Sequence, residues 1–254
     1  MIPIKRPHEI EKMRQAGECA ADILVELAAL IEPGVTTAEV DRAAARLMSE
    51  AGVRSAFLGY RKFPGHICIS LNEEVVHGIG SNRRIAYGDI VKMDIGIIRD
   101  GWIGDTATSV PVGIVTPETE RLLAATEKIL EGAVQKARPG NRVGDISNFV
   151  ETEATALGYS VVQEFVGHGV GRKLHEDPQV PNFGRAGTGP KLKAGMTIAI
   201  EPMINMGASR VRILADKWTA VTSDGLPSAH FEHTVLITDN LPEVLTWPKK
   251  TLSK

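Results

Sequence analysis

Apolar and polar residues alternate through Val91-Lys92-Met93-Asp94-Ile95-Gly96-Ile97, and a second run of strand formers, 102–108, follows an Asp100-Gly101 pair. Alternation of period two marks a half-buried strand. An Asp-Gly pair between two such runs is a strong hairpin signal, because both central residues of a type I′ turn need positive φ. With Asp100-Gly101 as the turn, Arg99 faces Trp102, Gly96 faces Asp105 and Asp94 faces Ala107. Val91, Met93, Ile95 and Ile97 then form the core face. Asp94 and Asp105 share the other face as diagonal neighbours, roughly 5–8 Å apart between β-carbons. Glycine and alanine beside them leave room. Two like charges so placed repel unless a cation lies between them, and a metal ion is the simplest remedy. Two solvated acids on an exposed sheet face are the alternative. A three-residue loop would put the acids on opposite faces.

Elsewhere the spacing is helical. Ile10, Met13, Cys19, Ile23, Leu27 and Leu30 predict a helix over 8–31, stopped by Pro33-Gly34. Thr36 or Thr37 caps a second helix that ends near Ala51-Gly52. The plan returns at an offset of 106 residues: a helix over 118–137, Pro139-Gly140, then a helix over 143–157 before Gly158. Pro33/Pro139, Gly34/Gly140, Glu39/Asp145, Val40/Ile146 and Gly52/Gly158 align. This predicts an internal duplication within one catalytic domain spanning 1–254, roughly 8–110 and 115–240, with two similar α+β halves facing a site between them. Strands are expected at 67–71, 75–79, 160–166, 196–200, 218–222 and 230–237, with Gly167-His168-Gly169-Val170-Gly171 as a loop and 184–189 as a flexible surface loop.

Composition narrows the class. The 254 residues are 43% hydrophobic and 24% charged, as in soluble globular chains. The net charge of −2 gives no bulk electrostatic case for nucleic acid. Two cysteines, Cys19 and Cys68, make no disulfide framework. The N-terminus lacks an apolar core of the secretory kind, and no apolar run nears ~18 residues, so no membrane role and a cytoplasmic location are expected.

Three further positions carry chemistry. His168 lies between Gly167 and Gly169, which leave its ring open. Glu201 ends the apolar run Met196-Thr197-Ile198-Ala199-Ile200, and Glu232 lies in the apolar run 231–237. A buried acid is costly unless paired or ligated. Each alone has a plain structural account as a cap, an ion-pair partner or an edge residue. Together with Asp94 and Asp105 they make four carboxylates and one imidazole in similar contexts.

Val76-His77-Gly78-Ile79, Asp94 with Asp105 eleven residues on, Gly167-His168-Gly169-Val170-Gly171, His175-Glu176-Asp177-Pro178, Ile200-Glu201-Pro202-Met203 and Phe231-Glu232-His233-Thr234 together resemble the type I methionine aminopeptidases, in their short bacterial form. The likeness runs over nearly the whole chain. It implies the α+β "pita-bread" fold, two pseudo-symmetric halves with a curved antiparallel sheet covered by helices. It also implies removal of the N-terminal methionine from nascent proteins and peptides whose second residue is small. By this resemblance Asp94 chelates one metal, Asp105 and Glu232 bridge two, and His168 and Glu201 complete the second. Oxygen-rich ligands with one imidazole suit cobalt, manganese or iron better than a thiolate zinc site, and metal availability decides among them. Amide hydrolysis then uses water that two cations activate. Glu201 relays its proton, His175 donates to the carbonyl oxygen, and His77 holds the amide after methionine. Without the resemblance, His77 and His175 read as ordinary loop or turn histidines.

Phe57, Tyr60, Phe63, Cys68 and Trp218 match the family's wall for the methionine side chain. A monovalent cation on backbone carbonyls near Asn72 and Ser228 is also implied, as are a peptide substrate, the ribosome exit region as a partner and a monomer. Phe63 replaces a common tyrosine, Leu174 a common aromatic and His230 a common glutamine. Lys92 shares a face with Asp94 and is expected to pair with an acid at the rim. The chain lacks the N-terminal cysteine-rich extension of eukaryotic relatives and the insertion between His175 and Glu201 that marks type II. The alternatives are a related pita-bread aminopeptidase, such as one cutting before proline, or a non-catalytic binding homologue. A di-iron or dimanganese oxidase is a more distant alternative, since its ligands sit on helices with Glu-x-x-His spacing.

Overall fold

The hairpin forms in the expected register. Asp100 and Gly101 have φ of 51° and 77°, as a type I′ turn requires. Asp94 lies opposite Ala107 and Gly96 opposite Asp105. The computed structural model describes residues 2–250.

The chain begins with α1 (Pro7–Ala28) and α2 (Thr37–Glu50), then a short β1 (Arg54–Ser55), β2 (Cys68–Leu71) and β3 (Glu74–Val76). The long hairpin is β4 (Ile90–Arg99) and β5 (Trp102–Pro111). Next come α3 (Pro117–Lys136) and α4 (Val143–Ala156), followed by β6 (Ser160–Val161), β7 (Gly167–Gly169) and β8 (Glu176–Val180). Strands β9 (Thr197–Ile200), β10 (Met203–Asn205), β11 (Val211–Ile213) and β12 (Ala220–Thr222) follow. The last are β13 (Ser228–His230), β14 (His233–Leu236) and β15 (Glu243–Val244).

Local chemistry starts each helix. Pro7 and Pro117 open α1 and α3 in the first turn, where a missing N–H is harmless. Thr36 accepts from the Glu39 N–H while Glu39 accepts from the Thr36 N–H, a reciprocal cap on α2. Asp145 accepts from the Arg142 N–H at the start of α4.

Two large apolar cores result, with a smaller third cluster of Val75, Val76, Val162, Met203 and Ala220. Met13, Ala16 and Leu27 of α1, with Val40 of α2, pack on Met93, Ile95 and Ile97 of β4. Leu122 and Leu130 of α3, with Ile146 of α4, pack on Ile198, Ile200 and Val235. All the described strand pairings are antiparallel, and β15-β14-β9-β7-β8 form the largest sheet. Gly104 packs so close to α1 that a β-carbon there would lie 2.2 Å from the Ala16 carbonyl oxygen. A bridge between Ala107 and Glu232 joins the hairpin to the later strands. The acid face of the hairpin therefore lies between the two cores.

Some expected elements differ. The loop expected at 167–171 includes strand β7, and only Ser160–Val161 of the run 160–166 is strand. The run 75–79 stops as a strand at Val76, because His77 turns out of it at φ 62°. The run 230–237 is broken at Phe231 and Glu232, where Glu232 bonds to Ala107 of the hairpin instead. Both cysteines are free. No helix among the described residues is long and apolar enough to cross a membrane.

Candidate metal centre

Strand β4 presents Asp94 and β5 presents Asp105 into one cleft. Glu232 joins them because its N–H donates to the Ala107 carbonyl at 3.0 Å and its carbonyl accepts from the Thr106 hydroxyl at 2.8 Å. The Thr234 hydroxyl donates to the Asp105 carbonyl at 2.8 Å, fixing the same junction. Carboxylate oxygens of Asp94, Asp105 and Glu232 lie within 4.8 Å of one another. Asp105 and Glu232 are each 2% exposed.

His168, on β7, approaches from the opposite wall. Its Nδ1 lies 3.0 Å from the Gly169 carbonyl, so the proton resides there and the Nε2 lone pair is free. Nε2 lies 3.5 Å from Glu201 Oε1 and 3.7 Å from Asp105 Oδ2. Glu201 follows β9 directly, and its other oxygen is 3.7 Å from His230 Nε2. His230 thus reaches the acid cluster from β13, held there by paired bonds between its backbone and the Ser109 hydroxyl.

The electrostatics are those of a site short of positive charge. Burial pushes Asp94 up to about 7, with Glu201 adding to the rise and His230 opposing it. Burial pushes Glu201 up to about 8. Asp105 and Glu232 rise far above the carboxylate range, first through burial and then through neighbouring carboxylates. Burial lowers His168 to about 3 and His230 to about 4, so both rings are neutral at neutral pH. Asp94 Oδ1, Asp105 Oδ1 and Glu232 Oε1 are buried with no hydrogen-bond partner among the described residues. Converging orphan acceptors beside a free imidazole nitrogen fit divalent cations, which supply the charge that buried carboxylates lack.

The expected wall residues surround this cluster in part. Phe63 meets Trp218 edge-on at 5.1 Å between ring centres. His77 lies 6.3 Å from Trp218 and 4.9 Å from Phe165, again edge-on. Cys68 lies opposite Asp94 in the sheet, and Phe57 packs over Gly96, where a β-carbon would strike its ring. Tyr60 stacks on His175 at 5.3 Å, and its hydroxyl lies 2.8 Å from His175 Nδ1. His175 and His168 are 4.2 Å apart between ring centres. They line an open cleft of about 630 Å³ with Arg61, Lys173, Glu176 and Gln179. A larger groove of about 1080 Å³, near Leu24, Leu130 and Trp247, includes none of the five metal-ligand candidates.

Phe165 and Arg61 escaped the sequence reading. Phe165 was submerged in a run that looked like strand, and only the tertiary contact with His77 singles it out. Leu174 is buried in the first core. Lys92 makes no rim ion pair among the described residues. It is buried, and its ammonium donates to two backbone carbonyls.

A cleft of converging acids and one imidazole between two α+β layers defines a metallohydrolase. The chain matches metallopeptidase family M24 over residues 11–239 and belongs to that family. It is 47% identical to a methionine aminopeptidase of Clostridium perfringens, covering 97% of this chain and 99% of that one. It is 46% identical to methionine aminopeptidase 1 of Bacillus subtilis over the same shares. The crystal structure of a methionine aminopeptidase from Thermotoga maritima superposes with a TM-score of 0.95 at 45% identity, covering 97% of this chain and 99% of that one. A prolidase from Pyrococcus furiosus superposes at 0.80 and 25% identity, with 97% of this chain matching 66% of the prolidase. The fold is the pita-bread arrangement.

Proposed function

We propose that this chain is a type I methionine aminopeptidase, a metal-dependent hydrolase that removes N-terminal methionine when the second residue is small. One observation carries the reading: buried, unpartnered carboxylates of Asp94, Asp105 and Glu232 meet His168 and Glu201 beside an apolar wall. The full-length likeness to methionine aminopeptidases supports it, and a cleavage specificity before proline is not favoured.

Asp94, Asp105, Glu232, His168 and Glu201 would together hold a pair of divalent cations. Cobalt, manganese, iron or zinc meets the chemistry of this donor set. When bound, the cations supply Lewis acidity to the scissile amide and lower the pKa of water. Burial pushes Glu201 up to about 8, and bound cations would draw it back to the ionised form; as a carboxylate it would take a proton from water and then pass that proton to the leaving amine. The Tyr60 hydroxyl lies 2.8 Å from His175 Nδ1 and would donate to it in the tautomer that carries the ring's proton on Nε2. His175 can then donate to the carbonyl oxygen as negative charge develops. His77, seated between Phe165 and Trp218, would hold the amide that follows methionine. Phe57, Tyr60, Phe63, Cys68 and Trp218 would enclose the unbranched thioether, which gains from sulfur–aromatic contact.

The same proposal includes a monomer acting in the cytoplasm on chains leaving the ribosome, since every group named comes from one chain. The repeated order of helix, Pro-Gly turn, helix and strands supports a duplication of roughly 8–110 in 115–240. Peptides Met-Ala-X, Met-Leu-X and Ala-Pro-X, assayed with titrated Mn²⁺ or Co²⁺, test the activity. Selective cleavage of Met-Ala-X is expected, and cleavage of Ala-Pro-X in its place refutes the reading.

A further inference from the structure

Lys92 is a buried charged group that the reaction leaves unused. Its side chain is 2% exposed. The Nζ donates to the Asn72 carbonyl at 2.8 Å and to the Ser228 carbonyl at 2.9 Å. It forms no ion pair among the described residues. The acid whose field favours its charge most, Glu74, is engaged by Arg83 at 2.6 Å and by the Leu71 N–H at 2.7 Å. Burying an ammonium is unfavourable unless strong acceptors replace water.

The acceptors here are built for a cation. Asn72 sits at φ 49° in the turn between β2 and β3. Its side chain is held by the Ile90 N–H at one end and Asp89 at the other. Its carbonyl also accepts from the Ser228 N–H at 3.0 Å. Backbone carbonyls that replace a hydration shell are how proteins hold hard monovalent cations. The family resemblance implies such an ion at these carbonyls, but the residues present do not fit one. A second cation bonded to both oxygens would lie against a like charge already within 2.9 Å of each.

We infer that the Lys92 ammonium is an internal substitute for a monovalent cation, tying β4 to the start of β13 so that the chain needs no sodium or potassium ion there. The tie has a consequence for the acid cluster. Asp94 lies two residues beyond Lys92 on the same strand face, and Ser228 leads through β13 to Glu232. Lys92 is therefore a positioning residue for Asp94 relative to Glu232.

The test compares NaCl, KCl and tetramethylammonium chloride at equal ionic strength and about pH 6.5, where His is near its ordinary midpoint and lysine is charged. The protein is expected to melt at one temperature in all three. Lys92→Ser opens the carbonyl site. It is expected to melt lower in tetramethylammonium and to recover, saturably, with Na⁺ or K⁺. Its affinity for Mn²⁺ by calorimetry should fall about tenfold or more and return with Na⁺. Lys92→Met fills the space without charge and should show no cation rescue. A selective Na⁺ or K⁺ response of the unaltered protein overturns the inference, as does a folded Lys92→Ser variant indifferent to the cation. If Lys92→Ser does not fold, the unaltered protein decides alone, cation indifference supporting the inference and selectivity ending it. Neither melting nor Mn²⁺ binding requires peptide cleavage, so failure of the proposed activity is read separately.

Discussion

Stripped of divalent metal, this protein should lose stability as the pH rises from 7 to 8. Unfolded, the four cleft carboxylates ionise near pH 4. Folded, Asp94 holds its proton to about 7 and Glu201 to about 8, and burial beside other carboxylates raises Asp105 and Glu232 well above their ordinary values. A group whose folded pKa is raised stabilises the fold below its unfolded pKa, and that contribution fades as pH climbs to the folded value. Each proton retained across one pH unit therefore removes about 1.4 kcal/mol. Two other sets of groups act in the opposite sense. His168, His77, His230 and His233 fold as neutral rings with values near 3 to 4, but unfolded histidine finishes titrating near pH 7. Lys92, lowered to about 7, still opposes the carboxylates between pH 7 and 8 by one proton. With Asp105 and Glu232 raised as well, the four carboxylates outweigh these groups, and each net proton retained costs about 1.4 kcal/mol per pH unit. For a chain of this size each kcal/mol moves the melting point by about 2–4 °C. Scanning calorimetry in a chelator at pH 7.0, 7.5 and 8.0 should thus show a steady fall in melting point. Added Mn²⁺ should reverse the slope, because metal binds the ionised carboxylates and competes with protons. Asp105→Asn should flatten the metal-free slope. A melting point that is level or rises across this range without metal refutes the account of the cluster.

Other perturbations probe neighbouring parts. Glu201→Gln should cut cleavage of Met-Ala peptides by about 10²–10⁴ while the protein stays folded, and activity within tenfold of the parent would remove Glu201 from proton transfer. Tyr60→Phe deletes the hydroxyl at His175 Nδ1, so about 1 kcal/mol, or roughly fivefold, should be lost mainly from kcat, with melting unchanged. A drop confined to KM would point to the wall instead. Gly104→Ala would place a β-carbon 2.2 Å from the Ala16 carbonyl oxygen, and since both partners are backbone, chemical denaturation should show a loss of about 3 kcal/mol. Chelation should abolish peptide cleavage, and a titration with Mn²⁺ or Co²⁺ should restore it.

Much of this molecule is determined by short-range sequence. The Asp100-Gly101 turn and the alternation on either side set the hairpin register, and period-two geometry alone put Asp94 and Asp105 on one face. The four helices and their caps were equally local, because Thr36, Pro117 and Asp145 act within a few residues of where they stand. Other features depended on partners distant in sequence. Glu232 leaves its apolar run because the hairpin edge at Ala107 offers better backbone bonds, and His77 turns out of a strand at φ 62°. Lys92 appeared destined for an acid at the rim, yet tertiary packing buried it and put two carbonyls 20 and 136 residues away at its tip. Phe165 and His230 acquired their neighbours in the same way. The chain by itself fixes what each strand presents on its two faces, since that is a matter of geometry between adjacent residues. Which faces meet, and hence which charges share a dry cleft, depends on burial summed over the whole fold.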